Sequence, residues 1–345
     1  MEEFSHFLVL ESSCWESNGE VIHSNFYRPL GLTRSPWISA PVVTTLVLGV
    51  VLIISFCIWE RITLYPMFPR ELFQNKVFTV RRRGYKLISQ RFMSLTLFIA
   101  AIAGANFGML VALWPIQCAE LFGPDPLDTA KILSVCGFSI VVGIVLVNWA
   151  FTKFHGAARE LMTLTSCVMT LGLGLMALIN KNTPSLAMGL SAITGLGVGG
   201  LVQPTGTLIT IISPDALIAT IIAATIAIRT VGGTIGYAIY FNILQTRLVS
   251  VLPENLAKAA IQAGLSGDQT ETFVLTFLGR NTTALAQYPM SVLGAAQEAV
   301  KGSYTDVFRT IYLASIGFSG AAIIASLLLP SIRKYMVDRV AVDIR

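Results

Sequence analysis

The chain has 345 residues, of which 54% are hydrophobic and only 12% are charged, and its formal net charge is +5. A soluble domain carries about 25% charged residues, so this composition excludes an ordinary soluble enzyme and indicates a membrane protein with several spans. The five cysteines form no CxxC pair and four of them lie in or beside apolar runs, which argues against a disulfide framework and a metal site.

Residues 1–35 are mostly polar and give no clear structural signal. The stretch begins with the acidic residues of MEEF, and no basic region precedes an apolar core, as a secretory signal peptide would require. We therefore expect a poorly ordered N-terminal segment.

Long apolar runs follow, and about 20 mostly apolar residues are enough for a helix to cross a bilayer. Seven segments meet this requirement, at about 37–59, 93–114, 130–151, 161–179, 186–212, 216–244 and 310–330. The sequence therefore predicts an all-α polytopic membrane protein with seven transmembrane helices. Only the residues SPD separate the fifth and sixth spans, so a tight turn is expected between them.

Basic residues in the connections predict the orientation, because lysine and arginine near span ends are retained in the cytoplasm. The connection 61–92 carries eight of them, including the run RRR at 81–83, whereas 115–129 carries none. We therefore expect 61–92 and the tail 331–345 to be cytoplasmic, and the N-terminus and the long connection 245–309 to lie outside. The basic run is a topology signal next to a lipid bilayer, so no nucleic-acid partner is expected.

The connection 245–309 also contains the triplet NTT, which starts at Asn281. This triplet is an acceptor sequence for N-glycosylation if the connection lies outside the cell. Asn281 is therefore a candidate glycosylation site.

The second and third spans carry neutral hydrogen-bonding residues at Asn106, Gln117 and Asn148. These side chains face a substrate path, or they form hydrogen bonds between neighbouring helices. The fifth span is rich in glycine and contains Gln203 and Pro204. Proline removes one backbone hydrogen bond and kinks a helix, which suits a moving part of a transporter, although glycine-rich helices also occur in closely packed bundles.

Arg229 in the sixth span is the only charged residue deep inside any predicted span. On a helical wheel its face also carries Thr225, Gly232, Gly233, Gly236 and Tyr240. The pair Gly232 and Gly236 is a GxxxG motif, which lets another helix backbone approach closely. Two interpretations of Arg229 stay open. Either it faces a watery cavity and binds a substrate, or it is a structural arginine tied to carbonyls of a neighbouring helix.

Catalytic groups are missing from the spans. No Asp or Glu lies in the cores of the second to seventh spans, and the three histidines lie outside all of them. We therefore expect no enzyme activity, no cofactor and no metal. A proton relay, which commonly uses an intramembrane carboxylate or histidine, would have to be supplied by a segment outside this chain.

Several segments resemble the fourteen-helix drug:proton antiporters of the major facilitator superfamily, and most of all the branch of fungal trichothecene efflux pumps and siderophore carriers. The segments that carry the resemblance are PMFPRELF, GANFGMLVALWPIQCAELFGPDPLDTAKILSVCGFSIVVG, GLGVGGLVQPTGTLITIISPD and IRTVGGTIGYAIY. The resemblance covers 36–345. It implies that 36–60 is a linker helix, and that 93–330 is the six-helix C-terminal bundle of the superfamily fold, with no counterpart here of the N-terminal bundle.

The resemblance further implies that the second, third, fifth and sixth spans line a central cavity. In GIVLVNWAFTKFHGAARELM, Gly156 and Arg159 would be remnants of a cytoplasmic gating motif whose acidic residue is absent here.

The implied function is that of the C-terminal half of a proton-coupled exporter for small, largely apolar molecules such as toxins, drugs or siderophores. It would act in the plasma membrane rather than the vacuolar membrane, completed by an N-terminal half or a homodimer. The alternative is a truncated, non-transporting membrane protein or pseudogene product that acts at most through helix pairing.

Overall fold

The computed structural model describes residues 40–63, 83–123, 126–154, 157–212, 218–278, 285 and 287–330. Helices form almost all of this part of the chain, and it contains no β-strand. The helices are α1 (Ala40–Ile62), α2 (Arg83–Phe122), α3 (Pro126–Lys153), α4 (Ala158–Met176), α5 (Pro184–Val202), α6 (Pro204–Ile212), α7 (Ile218–Gln262), α8 (Gly267–Leu278) and α9 (Met290–Leu327).

The prediction of an all-α polytopic membrane protein is confirmed. Among the described residues, five helical segments are long and apolar enough to cross a membrane, namely Arg91–Phe122, Leu127–Lys153, Pro184–Ile211, Ile218–Gln262 and Met290–Leu327. They coincide, to within three residues at either end of each predicted span, with the second, third, fifth, sixth and seventh predicted spans or extend beyond them.

The other two predicted spans are also helical. The span at 37–59 falls mostly in α1, a helix of 23 residues, in which Val47–Phe56 is the apolar stretch found among the described residues. The span at 161–179 corresponds to α4, which has 19 residues and begins with the charged pair Arg159 and Glu160 in its first turn. The number seven therefore stays a prediction.

The connection expected at 245–309 is largely helical. α7 continues to Gln262, α8 follows, and α9 begins at Met290. The physical reason is visible in the leucines at every fourth position from Leu244 to Leu256, all of which are buried. This spacing keeps one apolar face on a helix even after charged residues appear on the others. The last part of the connection expected at 61–92 is also helical, because α2 begins at Arg83.

The chain divides into two compact units. The smaller consists of Met1–Ile62 with Val249–Val300, and the larger of Thr63–Leu248 with Lys301–Arg345. In the smaller unit the ring of Phe273 meets that of Tyr288 edge to face, with centroids 4.9 Å apart. The side chains discussed below all belong to the larger unit.

The glycine-rich α5 packs between α3 and α4. On one side, a Cβ at Gly199 would lie 2.0 Å from the carbonyl oxygen of Ile140 in α3. On the other, a Cβ at Gly197 would lie 2.3 Å from the backbone nitrogen of Met169 in α4. Any side chain would clash at both positions, so these glycines serve close backbone contact on two faces.

Candidate functional site

Two helices, α2 and α7, touch along a row of small residues that we call the α2–α7 seam. α2 contributes Ala101, Gly104, Ala105 and Gly108, and α7 contributes Arg229, Gly232, Gly233 and Gly236. Both sets follow the same spacing of three, one and three residues, which places each set on one helix face. The sequence alone reveals both patterns but not that they face each other.

The seam has no room for additional atoms. A Cβ at Gly104 would lie 2.1 Å from the carbonyl oxygen of Arg229, and one at Gly232 would lie 2.2 Å from that of Ala101. A Cβ at Gly236 would lie 2.5 Å from the Cβ of Ala105. The backbone of α2 therefore occupies the glycine face of α7.

The side chain of Arg229 leaves the seam and reaches the end of α5. Its Nη1 donates a hydrogen bond to the carbonyl oxygen of Val202 over 2.9 Å, and the residue is partly buried. Val202 is the last residue of α5. A bond to a neighbouring helix carbonyl is what the interpretation of Arg229 as a structural arginine expects.

Val202 lies at a break in the fifth predicted span. Helix α5 ends there, Gln203 is an exposed turn residue, and α6 begins at the buried Pro204. The backbone of Gln203 keeps helical angles, with φ −91° and ψ −41°, so the break is a kink in which the helical hydrogen bonds are interrupted, as expected from Pro204. We call Gln203 and Pro204 the α5–α6 break.

A second group of side chains, the Asn106 cluster, joins four helices in the interior. The Asn106 Nδ2 donates to the Ser319 Oγ over 3.0 Å and contacts the Met169 Sδ at 3.7 Å. The Tyr240 hydroxyl donates to the Asn106 Oδ1 over 3.1 Å. All four residues are completely buried. Asn106 and Tyr240 are therefore placed in contacts between helices and away from any open surface.

Gln117 lies in a similar contact further along α2. The Tyr312 hydroxyl of α9 donates to its Oε1, and both side chains are buried. The Nε1 of nearby Trp114 is also buried, and it has no hydrogen-bond partner among the described residues.

The partners of Asn106 and Gln117 in α9 were not predicted from the sequence. The available signal was the polar stripe of Tyr312, Ser315 and Ser319, which repeats at helical spacing inside the last span.

The remaining predicted residues bond within their own helices or lie outside the described residues. Asn148 is partly buried and donates to the carbonyl of Ile144 over 2.9 Å. Thr225 is buried and donates to the carbonyl of Ile221 over 2.8 Å. Arg159 is exposed at the start of α4. The residues Gly156 and Asn281, and the segments 1–35 and 331–345, lie outside the described part.

Metal binding has no site in the part of the chain that the structure describes. No group of three or more His, Cys, Asp or Glu side chains there is arranged to hold a metal ion. The cysteines at 118, 136 and 167 are free thiols.

Comparison with known proteins relates almost the whole chain to one family. Residues 29–345 match the family described as fungal trichothecene efflux pumps (TRI12). The trichothecene efflux pump TRI12 of Fusarium sporotrichioides is 25% identical over 321 residues, which cover 90% of this chain and 51% of that pump.

Two further relatives are also described as transporters. The MFS-type efflux transporter ffsH of Aspergillus flavipes is 23% identical, with 86% of this chain and 48% of the relative covered. The MFS-type transporter FPY5 of Fusarium mangiferae is 29% identical over 223 residues, with 59% of this chain and 33% of the relative covered. The chain thus spans about half the length of the curated relatives it matches.

Proposed function

Because the chain belongs to the fungal trichothecene efflux pump family, as its resemblance predicted, we propose that it acts as the C-terminal half of an exporter for small, largely apolar molecules. Membership in a family of efflux pumps also confirms the prediction that the chain is not an enzyme. Toxins, drugs and siderophores are the substrate classes that we propose.

The observation that carries this proposal is the α5–α6 break. Backbone polar groups that lose their helical partners at membrane depth must be buried in protein or line a cavity, because lipid cannot satisfy them. In secondary transporters, interrupted helices form substrate sites near the middle of the bilayer. Gln203, which is part of the break, is exposed. The partly buried Arg229 reaches the break through its hydrogen bond to Val202.

We assign different roles to the predicted site residues. Gln203 and Arg229 are the proposed substrate contacts, since an amide and a guanidinium can donate hydrogen bonds to carbonyl, ester or hydroxyl oxygens of an otherwise apolar molecule. The guanidinium keeps further N–H donors besides the one that bonds to Val202. Asn106, Gln117 and Tyr240 hold the helices around the site, because their polar atoms already bond to other helices. Gly232, Gly233 and Gly236 set the distance between α2 and α7.

A complete transport cycle needs a second bundle. Alternating access works by rocking one bundle against another around a site between them, so we propose an N-terminal half-transporter, or a second copy of this chain, as the partner. The proton-carrying group of an antiport cycle would then lie in that partner, since the second to seventh predicted spans of this sequence contain no core carboxylate. We propose the plasma membrane as the site of action, with the C-terminal tail in the cytoplasm and Arg159 at the cytoplasmic gate.

The test is a resistance assay in yeast cells sensitive to a trichothecene. The chain is expressed alone and together with the N-terminal half of a family pump, and toxin efflux is measured with the surface level of each protein. We expect efflux when both halves are present. Efflux by the chain alone would identify a homodimer as the active form, and no efflux in either case at normal surface level would contradict export.

Arg229→Gln in the active combination tests the proposed substrate contact. Arg309→Gln is the matched control, because Arg309 is an exposed arginine on α9. We expect a loss of efflux at normal surface level for the first variant and unchanged efflux for the second. Equal efflux from both would remove Arg229 from the substrate path.

A further inference from the structure

The α5–α6 break leaves the backbone carbonyl of Val202 without its helical partner. In a continuous helix, the carbonyl of Val202 would accept the N–H of residue 206. Here the Gly206 N–H instead donates to the carbonyl of Gln203 over 3.0 Å, and the Thr207 N–H also approaches that carbonyl at 3.4 Å. Pro204 has no N–H, so the carbonyl of Gly200, four residues earlier, loses its helical donor as well. The Val202 carbonyl therefore needs a donor from elsewhere.

Two side chains supply that donor. The Thr205 Oγ1 donates to the Val202 oxygen over 3.2 Å, and the Arg229 Nη1 donates to it over 2.9 Å. Charge adds to the second bond, because the end of α5 carries the partial negative charge of its unpaired carbonyls and favours a cation. Arg229 thus occupies the position that a basic C-cap occupies in an ordinary helix, although it belongs to another helix.

The position of Arg229 is itself fixed at the α2–α7 seam. A Cβ at Gly104 would lie 2.1 Å from the Arg229 carbonyl oxygen and 3.0 Å from its Cγ. The Arg229 side chain therefore begins where α2 and α7 touch, and its guanidinium ends at α5. Among the described residues, Val202 is its one hydrogen-bond acceptor.

We propose that Arg229, in addition to its proposed contact with substrate, is a positioning residue that caps the C-terminal end of α5 across the bundle and thereby couples the α5–α6 break to the α2–α7 seam. The bond to Val202 holds the end of α5 in place, and it thereby sets the position at which the next residue, Gln203, is exposed. The significance of this coupling for export rests on the proposed function, but the coupling itself is a property of the folded chain.

A double-mutant cycle between Arg229 and Pro204 tests the coupling. The chain is purified in detergent, and the Tm is measured for the parent, Arg229→Gln, Pro204→Ala and the double variant. Alanine at position 204 restores an N–H and lets one continuous helix form, in which the Gly206 N–H satisfies the Val202 carbonyl. We therefore expect Arg229→Gln to lower the Tm in the parent and to have less than half that effect in the Pro204→Ala background.

The result that would overturn the proposal is additivity, in which Arg229→Gln lowers the Tm equally in both backgrounds. The control Arg309→Gln is expected to leave the Tm unchanged in both. If Arg229→Gln does not yield folded protein, the same cycle with Arg229→Lys decides. The lysine keeps the charge but loses the forked guanidinium, and an effect of equal size in both backgrounds again rejects the coupling.

Hydrogen exchange gives a local readout that general destabilisation would not reproduce. In Arg229→Gln, or in Arg229→Lys if only that variant folds, we expect faster exchange in peptides that cover 203–207 and no change in peptides from the middle of α3. Where both variants fold, lysine should restore part of the protection, since an ammonium also donates to a carbonyl. Unchanged exchange at 203–207 in the folded variant would overturn the proposal.

These measurements separate this inference from the proposed function. They require no substrate and no partner. Additive Tm effects together with normal export would reject the cap alone, whereas a coupled cycle together with absent export would reject the exporter alone.

Discussion

The seam face of α2 and the face that carries Asn106 contact their neighbours in opposite ways. At the seam, small residues allow backbone to touch backbone, and a Cβ at Gly104 would lie 2.1 Å from a carbonyl oxygen. Only two residues further along α2, Asn106 bonds through side chains to Ser319 and Tyr240. The seam requires residues with small or no side chains, whereas the Asn106 contact requires side chains that form hydrogen bonds. The two faces should therefore respond differently to substitution.

The largest effect is expected at the seam. Gly104→Ala adds a methyl group against the backbone of Arg229, and the clash can be relieved only if α2 and α7 separate. We expect a loss of about 2–3 kcal/mol of stability, in the range measured for overpacked interiors. Thermal unfolding of the purified chain in detergent measures it.

Gly137→Ala on α3 is the matched control, because a Cβ at Gly137 has no neighbour within 4 Å. Alanine there should be neutral or stabilise by up to about 1 kcal/mol, since glycine is a poor helix former. Gly108→Ala should fall between the two, with its Cβ 3.0 Å from the carbonyl oxygen of Gly233. Equal effects at all three positions would show that the seam is looser than its geometry indicates.

The Asn106 cluster should give a smaller effect. Tyr240→Phe keeps the ring but removes the hydroxyl that donates to Asn106, which leaves a buried amide oxygen without that partner. Interhelical hydrogen bonds in membranes contribute about 0.6 kcal/mol on average and up to about 1.7, so we expect a loss of about 1 kcal/mol in the same unfolding measurement.

The comparison variant for the cluster is Tyr237→Phe, three residues earlier on α7 and partly exposed at 37%. It should change the stability by less than about 0.5 kcal/mol, as is usual for surface sites. A loss at Tyr237 as large as that at Tyr240 would mean that the buried bond contributes nothing specific.

Asn148→Ala should have the smallest effect on stability. The Asn148 amide bonds to the carbonyl of Ile144 in its own helix, and alanine favours the helix more than asparagine. We expect a change within about 0.5 kcal/mol in thermal unfolding. A loss above about 1 kcal/mol would reveal a contact of Asn148 with another helix.

Local patterns predicted much of the fold, but not which helices meet. Apolar runs located the membrane helices, and proline at 204 located a kink, because both depend on neighbours along the chain. The GxxxG motif predicted that some backbone approaches α7. It could not identify α2 as the partner, since the contacting residues Gly104 and Arg229 are more than 100 positions apart along the chain and many glycine faces in this chain look alike.

The side-chain contacts were the least predictable part. Tyr240 and Asn106 are separated by 134 residues, and Asn106 and Ser319 by 213. An isolated asparagine in an apolar run has the same local pattern whether it faces a cavity or another helix. The extension of α7 to Gln262 was, by contrast, predictable, because the leucine repeat has helical spacing. The predicted span ended at 244 only because the continuous apolar run ends there.

The distance along the chain between Asn106 and Ser319 also sets an order of assembly. Asn106 lies near the middle of the 32-residue membrane segment Arg91–Phe122, where an unpaired amide is costly. The two residues are 213 positions apart, and ribosomes add about 5–20 residues each second. Asn106 is therefore synthesised roughly 10 to 40 s before its partner. Arrival of the last membrane helix completes a bond that the earlier helix leaves open during translation.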